Sequence, residues 1–354
     1  MNRDDRPHPV PPVPATGAPM TEAPPTASPG TALPAAPPAA PEPHRRGPRS
    51  APPGVEYHRV LAGEKRRIGR GVLALALLMG GMFLFSTVLS FLAVLIDALT
   101  GRIDPMSGGI EFTPLLNAAN LLGLALLIPW SMLVQRWLYG VRAATLHSVL
   151  SCFRLELFGR TLLIVGPVWV VYMAVLSALS PYPEAAWSFT DLIVMFVTVL
   201  LLAPLQSAGE EYGFRGLAFR IAASWGRGPR TALLLGVVVS SLLFATAHFA
   251  ADPWLNLYYL TFGATLALIT WRTGGLEVAI VVHAVNNTLA FLITLITRTD
   301  LAAGFDRSAG VGSAIMLVPC AMLVAATVVV WLRTRRTGPA RTPLSVPEPV
   351  EQYR

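Results

Sequence analysis

From residue 71 to residue 332 the chain is a succession of long apolar stretches separated by short polar connections, and that feature confines it to few folds. A helix crossing a hydrocarbon core of ~30 Å needs about 20 mostly apolar residues. Eight stretches meet this in the sequence: residues 71–96, 115–134, 162–179, 192–208 and beyond, 232–249, 254–271, 276–296 and 315–332. Inside lipid a segment must satisfy its own backbone hydrogen bonds, so these are helices and not open strands. The expected fold is all-α, a polytopic membrane helix bundle of about eight transmembrane helices. Charged residues make up only 13% of the chain, about half the share of an ordinary soluble domain, which disfavours a soluble enzyme.

The 27 Lys and Arg exceed the 20 Asp and Glu, a formal net charge of +7. Their placement explains that excess without nucleic acid, because basic residues collect in alternate connections. Lys65, Arg66, Arg67 and Arg70 precede the first span; Arg136, Arg142, Arg154 and Arg160 follow the second; Arg215, Arg220, Arg227 and Arg230 follow the fourth. Arg272 follows the sixth, and Arg333, Arg335 and Arg336 the eighth. The connections between them are poor in basic residues or offset them with Asp and Glu. Basic residues mark the cytoplasmic side, so the pattern predicts a multi-pass protein of the cell membrane with both termini cytoplasmic. Trp137, Tyr139, Trp187, Trp254, Tyr258 and Trp331 lie near span ends, as interfacial aromatics do.

Seventeen of the 31 prolines fall between Pro7 and Pro53, among Ala, Thr and Ser. Such a segment buries too little apolar surface to offset its ordering entropy, so residues 1–60 are expected to form a disordered cytoplasmic tail. Residues 71–332 form the transmembrane domain and residues 333–354 a cytoplasmic tail. Cys152 and Cys320 are the only cysteines, which excludes a disulfide framework and a cysteine-based zinc site. Lys65 is the single lysine against 26 arginines, a coding bias that suggests a GC-rich bacterial genome.

Four polar clusters interrupt the apolar stretches. Glu210-Glu211-Tyr212-Gly213-Phe214-Arg215 continues the fourth span. A charge at the bilayer centre costs at least about 2.5–3.5 kcal/mol, so ionisable residues there need partners or a wet cavity. Glu211 and Arg215 are four apart and can pair on one helical face. Glu210 points about 100° away with no evident local partner, which makes it a candidate general base. The bland alternative is a helix end emerging among cytosolic arginines, and Pro204, Gln206, Ser207 and Gly209 favour it. Phe244 and His248 form the second cluster; His283-Ala284-Val285-Asn286-Asn287 is the third, with His283 and Asn287 four apart. Single intramembrane histidines are often satisfied structural residues. Two in separate helices, beside a glutamate pair in another, are candidates for base, oxyanion donor or metal ligand. The fourth cluster, Trp271-Arg272-Thr273-Gly274-Gly275-Leu276, reads as a tight turn that fixes how the helix bearing His283 enters.

Taken together, Glu210-Glu211-x-x-x-Arg215, Phe244-x-x-x-His248 and His283-x-x-x-Asn287, in that order on successive helices, resemble the CPBP family. This family of intramembrane proteases includes the type II CAAX prenyl endoproteases and the bacterial Abi-like proteins. The resemblance covers roughly residues 162–296. It implies an intramembrane endopeptidase acting on membrane-associated peptide or protein substrates within the lipid bilayer. In that reading Glu210 activates water with help from His248, His283 and Asn287 stabilise the oxyanion, and Glu211 and Arg215 hold the site together. No cofactor is required by this reading. Family members are also labelled metalloproteases, and a divalent metal such as zinc is left open, with Glu210, Glu211, His248 and His283 as the candidate ligands. No His-Glu-x-x-His occurs, so the usual zincin arrangement is excluded.

Two further readings stand beside the protease. A non-catalytic membrane immunity or scaffold protein can be built on the same fold. A transporter or proton relay also places Glu and His in the membrane, but the halves show no matching broken helices. One geometric condition accompanies the protease reading. His248 is expected about 25 Å into its helix, and Glu210 nearer the cytosolic edge. The two meet only if the helix of Glu210 runs on towards Ala223 or bends at Pro204. The C terminus, Glu351-Gln352-Tyr353-Arg354, is not itself a CAAX box.

Overall fold

The computed structural model describes residues 47–63, 65–104, 112–179 and 183–344. The expected disorder of residues 1–46 and the C terminus at 345–354 lie outside the described residues. All regular elements of the described chain are helical: α1 (Ile68–Leu99), α2 (Pro114–Ala125), α3 (Leu127–Tyr139), α4 (Leu155–Leu179), α5 (Phe189–Glu210), a π-helical segment (Glu211–Ala218), α6 (Phe219–Ser224), α7 (Pro229–Thr246), α8 (Pro253–Thr273), α9 (Glu277–Thr297), α10 (Leu301–Gly304) and α11 (Leu317–Thr334). Among the described residues seven helical stretches are long and apolar enough to cross a membrane, so the chain is a multi-pass membrane protein.

Seven of the eight spans read from the sequence are among these stretches. The sixth forms as α8 but is too polar to qualify among the seven. Its Thr265, Thr270 and Arg272 are buried against protein, because α7, α9 and α11 pack around it. By contrast α4 buries only Trp169 and turns Leu163, Ile164, Val171 and Leu179 outward, as a lipid-facing helix does. The second span is broken at Leu126 into α2 and α3. Pro129 supplies the reason: without an N–H it leaves the carbonyl of Ala125, four residues earlier, unpaired.

Polar side chains fix the ends. Thr113 caps α2 by accepting from the Leu116 amide, and its hydroxyl donates to buried Asp97 at the end of α1 (2.5 Å). Asp252 caps α8 through the Trp254 and Leu255 amides, and Gly274 ends that helix at φ +68°. α5, the π segment and α6 form one uninterrupted helix, Phe189–Ser224. It packs on α2 so closely that a Cβ on Gly209 would overlap the Leu124 carbonyl.

The composition assigns residues 47–60 to the tail, yet they are docked. Tyr57 is fully buried and donates to the Leu146 carbonyl at 2.6 Å. The chain after α11 returns beside them, with Thr342 exchanging backbone bonds with Gly54 and Val55.

Candidate active site

The site is assembled where the long helix Phe189–Ser224 passes α9. Fourteen residues separate Glu210 from Ser224, about 21 Å at 1.5 Å per residue, so Glu210 lies well inside the bundle. The condition that this helix run on towards Ala223 is met. The Glu pair falls where α5 gives way to the π segment, and every residue from Gln206 to Ala223 is buried. Single π turns inside α-helices concentrate at functional sites.

His283 of α9 stands between the two carboxylates. Its Nδ1–H donates to Glu211 Oε1 at 2.7 Å, and its Nε2 faces Glu210 Oε2 at 3.4 Å. Glu211 Oε1 is also 3.1 Å from Arg215 Nη1, one turn along. The Arg215 guanidinium lies 4.1 Å from the Phe244 ring centroid, and its Nη2 donates to the Phe262 carbonyl. Glu211 and Arg215 are wholly excluded from solvent. Two carboxylates and one guanidinium leave one negative charge in excess.

Glu210 has a local partner after all. Gln206, one turn earlier, donates from Nε2 to Glu210 Oε1 at 2.8 Å. Its own carbonyl oxygen accepts from Asn287 Nδ2 and from Ser207 Oγ, both at 3.2 Å. Asn286 then holds Asn287, donating to its Oδ1 at 3.2 Å and to Tyr258 OH at 3.1 Å, and accepts from Trp169 Nε1 at 3.4 Å. Glu210 Oε2, buried, makes no hydrogen bond within the described chain.

His248 is placed differently from the expectation. α7 ends at Thr246, so the imidazole sits in the turn beyond the helix. Its Nδ1 is 2.7 Å from the Phe244 carbonyl, an obligate acceptor, which leaves Nε2 with its lone pair. The ring stacks on Tyr259 at 3.9 Å and lies 4.6 Å from Phe244, which in turn meets the His283 ring at 6.0 Å. Burial lowers the His248 pKa from the ordinary imidazole value, and the charge of Glu210 opposes that shift. Thus Glu210, Glu211, Arg215 and His283 form one contact cluster, Asn287 joins it through Gln206, and His248 borders it across Phe244.

The sequence alone assigns no site role to Gln206, Asn286 or Tyr258. The spacing of Gln206, four before Glu210, carried the signal, as did an amide inside an apolar run. The pairing of Asn286 with Trp169 and Tyr258 joins distant helices and leaves no local trace. Among the described residues no three His, Cys, Asp or Glu side chains gather as metal ligands. Glu211 is engaged by Arg215 and His283, and the Phe244 ring stands between His248 and His283, so the four candidate ligands do not converge as a zinc site needs.

Comparison with known proteins places these residues in context. Residues 189–289 match the family described as type II CAAX prenyl endopeptidase Rce1-like. That stretch holds Glu210, Glu211, Arg215, His248, His283 and Asn287. Over 129 residues the chain is 31% identical to YyaK, an uncharacterized protein of Bacillus subtilis (strain 168). The similarity spans 35% of this chain and 41% of that relative, less than half of either. No solved structure matches the chain. Nothing in these matches points to the Abi-like proteins or to a metalloprotease.

Proposed function

Because the chain carries a type II CAAX prenyl endopeptidase Rce1-like domain, as a CPBP family member does, we propose that it is an intramembrane endopeptidase. It hydrolyses peptide bonds of membrane-associated substrates at the Glu210 site. The observation that carries this reading is the Glu210 carboxylate itself: Oε1 is held by Gln206, while buried Oε2 lies free of hydrogen bonds beside His283 Nε2. A carboxylate so held, with one open oxygen, is suited to take a proton from water.

In the proposed reaction, water adds to the scissile carbonyl as Glu210 accepts its proton. The oxyanion is stabilised from α9 by the Asn287 amide and by His283, which donates from Nε2 when both ring nitrogens carry protons and Nδ1–H stays on Glu211. Glu211 is fixed by Arg215 for that purpose. His248, with Nε2 unengaged, assists proton transfer, and the amine leaves with the proton taken from water. Products are a carboxylic acid and an amine, and no oxidant or metal enters the balance. The protein lies in the bacterial cell membrane with its arginine-rich connections and both termini cytoplasmic.

The test uses the full-length protein in nanodiscs with a pool of internally quenched peptides. Wild type releases fluorescence and Glu210→Gln does not. Equal rates for the two proteins contradict the proposal, and favour a non-catalytic membrane protein on the same fold.

A further inference from the structure

Gln206 has no part in the reaction just described, yet its side chain is the one link between the base and the α9 amides. Its Nε2 donates to Glu210 Oε1 at 2.8 Å, and its Oε1 accepts from Asn287 Nδ2 at 3.2 Å. We infer that Gln206 is a positioning residue that ties the general base on α5 to the oxyanion-side amide on α9, an inference that rests on the endopeptidase reading.

The amide has two kinds of group and spends each on one partner. Glu210, when ionised, offers only acceptors, so the Gln206 contact to it is an N–H. The orientation of the Gln206 amide is thereby fixed, and its oxygen must turn to Asn287 and Ser207. Asn287 Nδ2 is thus aimed by Gln206, while its Oδ1 is held by Asn286, itself anchored to Trp169. The relay Trp169–Asn286–Asn287–Gln206–Glu210 crosses three helices, α4, α9 and α5. Gln206 is 5% exposed, so water does not readily substitute for its N–H.

Removing that N–H strips the ionised form of Glu210 of a charge-assisted donor, so the acid limb of the pH–rate profile reports the contact. The other charged or titratable groups around Glu210 are Glu211 and Arg215 on its own helix, His283 on α9 and His248 beyond α7. None of them replaces a donor at Oε1. α2, which packs on this helix at Gly209, brings the Leu124 carbonyl and apolar side chains there.

The experiment measures peptide-pool hydrolysis against pH for wild type, Gln206→Leu and Gln206→Glu in nanodiscs. In Gln206→Leu the acid limb moves up by about one unit, the equivalent of a tenfold change in ionisation. Gln206→Glu, with a carboxylate beside Glu210, moves it further the same way. If the leucine variant does not accumulate, the Gln206→Glu profile decides alone. A lower rate with the limb unmoved assigns Gln206 to packing and overturns the inference. Wild type no faster than Glu210→Gln overturns the endopeptidase reading and the inference together, whereas an active wild type with unmoved limbs overturns the inference only.

Discussion

Arg215→Met separates what the buried ion pair does for the fold from what it does for the chemistry. Glu211 and Arg215 are both fully buried and 3.1 Å apart, so loss of the guanidinium leaves a carboxylate with no countercharge on its own helix. Breaking a buried pair from one side costs about 3–5 kcal/mol. Glu211 keeps the His283 Nδ1–H, which pulls the expectation to the lower end, and the lost contact with the Phe244 ring adds up to about 2 kcal/mol. The sum is a destabilisation of about 4 kcal/mol. Removing both charges reverses much of it, since apolar replacement of a buried pair is often neutral or stabilising by about 1–4 kcal/mol. Glu211→Leu/Arg215→Met then loses chiefly the acceptor of His283 Nδ1–H, about 1–3 kcal/mol. The double variant is therefore expected to be more stable than Arg215→Met while being equally inactive, because nothing orients His283. Unfolding in mixed micelles, followed by tryptophan fluorescence, reads the ranking. A cost under about 1 kcal/mol for Arg215→Met, or a double variant less stable than the single one, refutes the reasoning.

Other expectations follow from single contacts. Gly209→Ala places a methyl on the Leu124 backbone carbonyl and lowers stability by about 1–3 kcal/mol, read as loss of folded protein in a thermal shift. His248→Phe retains the stack on Tyr259 and the yield of folded protein but abolishes hydrolysis; retained turnover would remove His248 from the mechanism. Burial holds the His58 imidazole near a pKa of about 4 against 6.5, with Glu56 opposing. A depressed histidine favours the neutral folded form, so its contribution is full above pH about 6.5 and falls away towards pH about 4, and His58→Phe flattens that part of the stability–pH curve. Cys152 is exposed on a connection assigned to the cytoplasmic side, so a membrane-impermeant maleimide labels it in lysed but not in intact cells.

Much of this architecture is legible in sequence because the bilayer imposes a single length scale and a single hydrogen-bonding rule. The apolar runs announce the helices, and Arg215 four residues after Glu211 announces the pair. The misread features have definite causes. α8 forms where the sixth span is read, and its greater polarity goes with the three helices packed around it. Pro129 marked the break in the second span, but the carbonyl it leaves unpaired is four residues earlier, on Ala125, just before the break at Leu126. No breaker precedes His248 in the sequence, which places it within its helix; the turn comes from local i to i+3 bonds to the carbonyls of Ala245 and Thr246. The docking of residues 47–60 was hidden by their proline content, which describes chain stiffness and not the pocket that receives Tyr57. At the site, His283 lies 72 residues from Glu211, so its bridging of both carboxylates is a tertiary fact.

The most direct test of the central claim is a comparison of protein termini in membrane fractions from cells carrying the wild-type chain and cells carrying an equally expressed Glu210→Ala variant. The account predicts new termini with wild type that vanish in the variant, and those termini name the substrates. Matching profiles, in cells where deleting the protein still has a phenotype, contradict catalysis through Glu210.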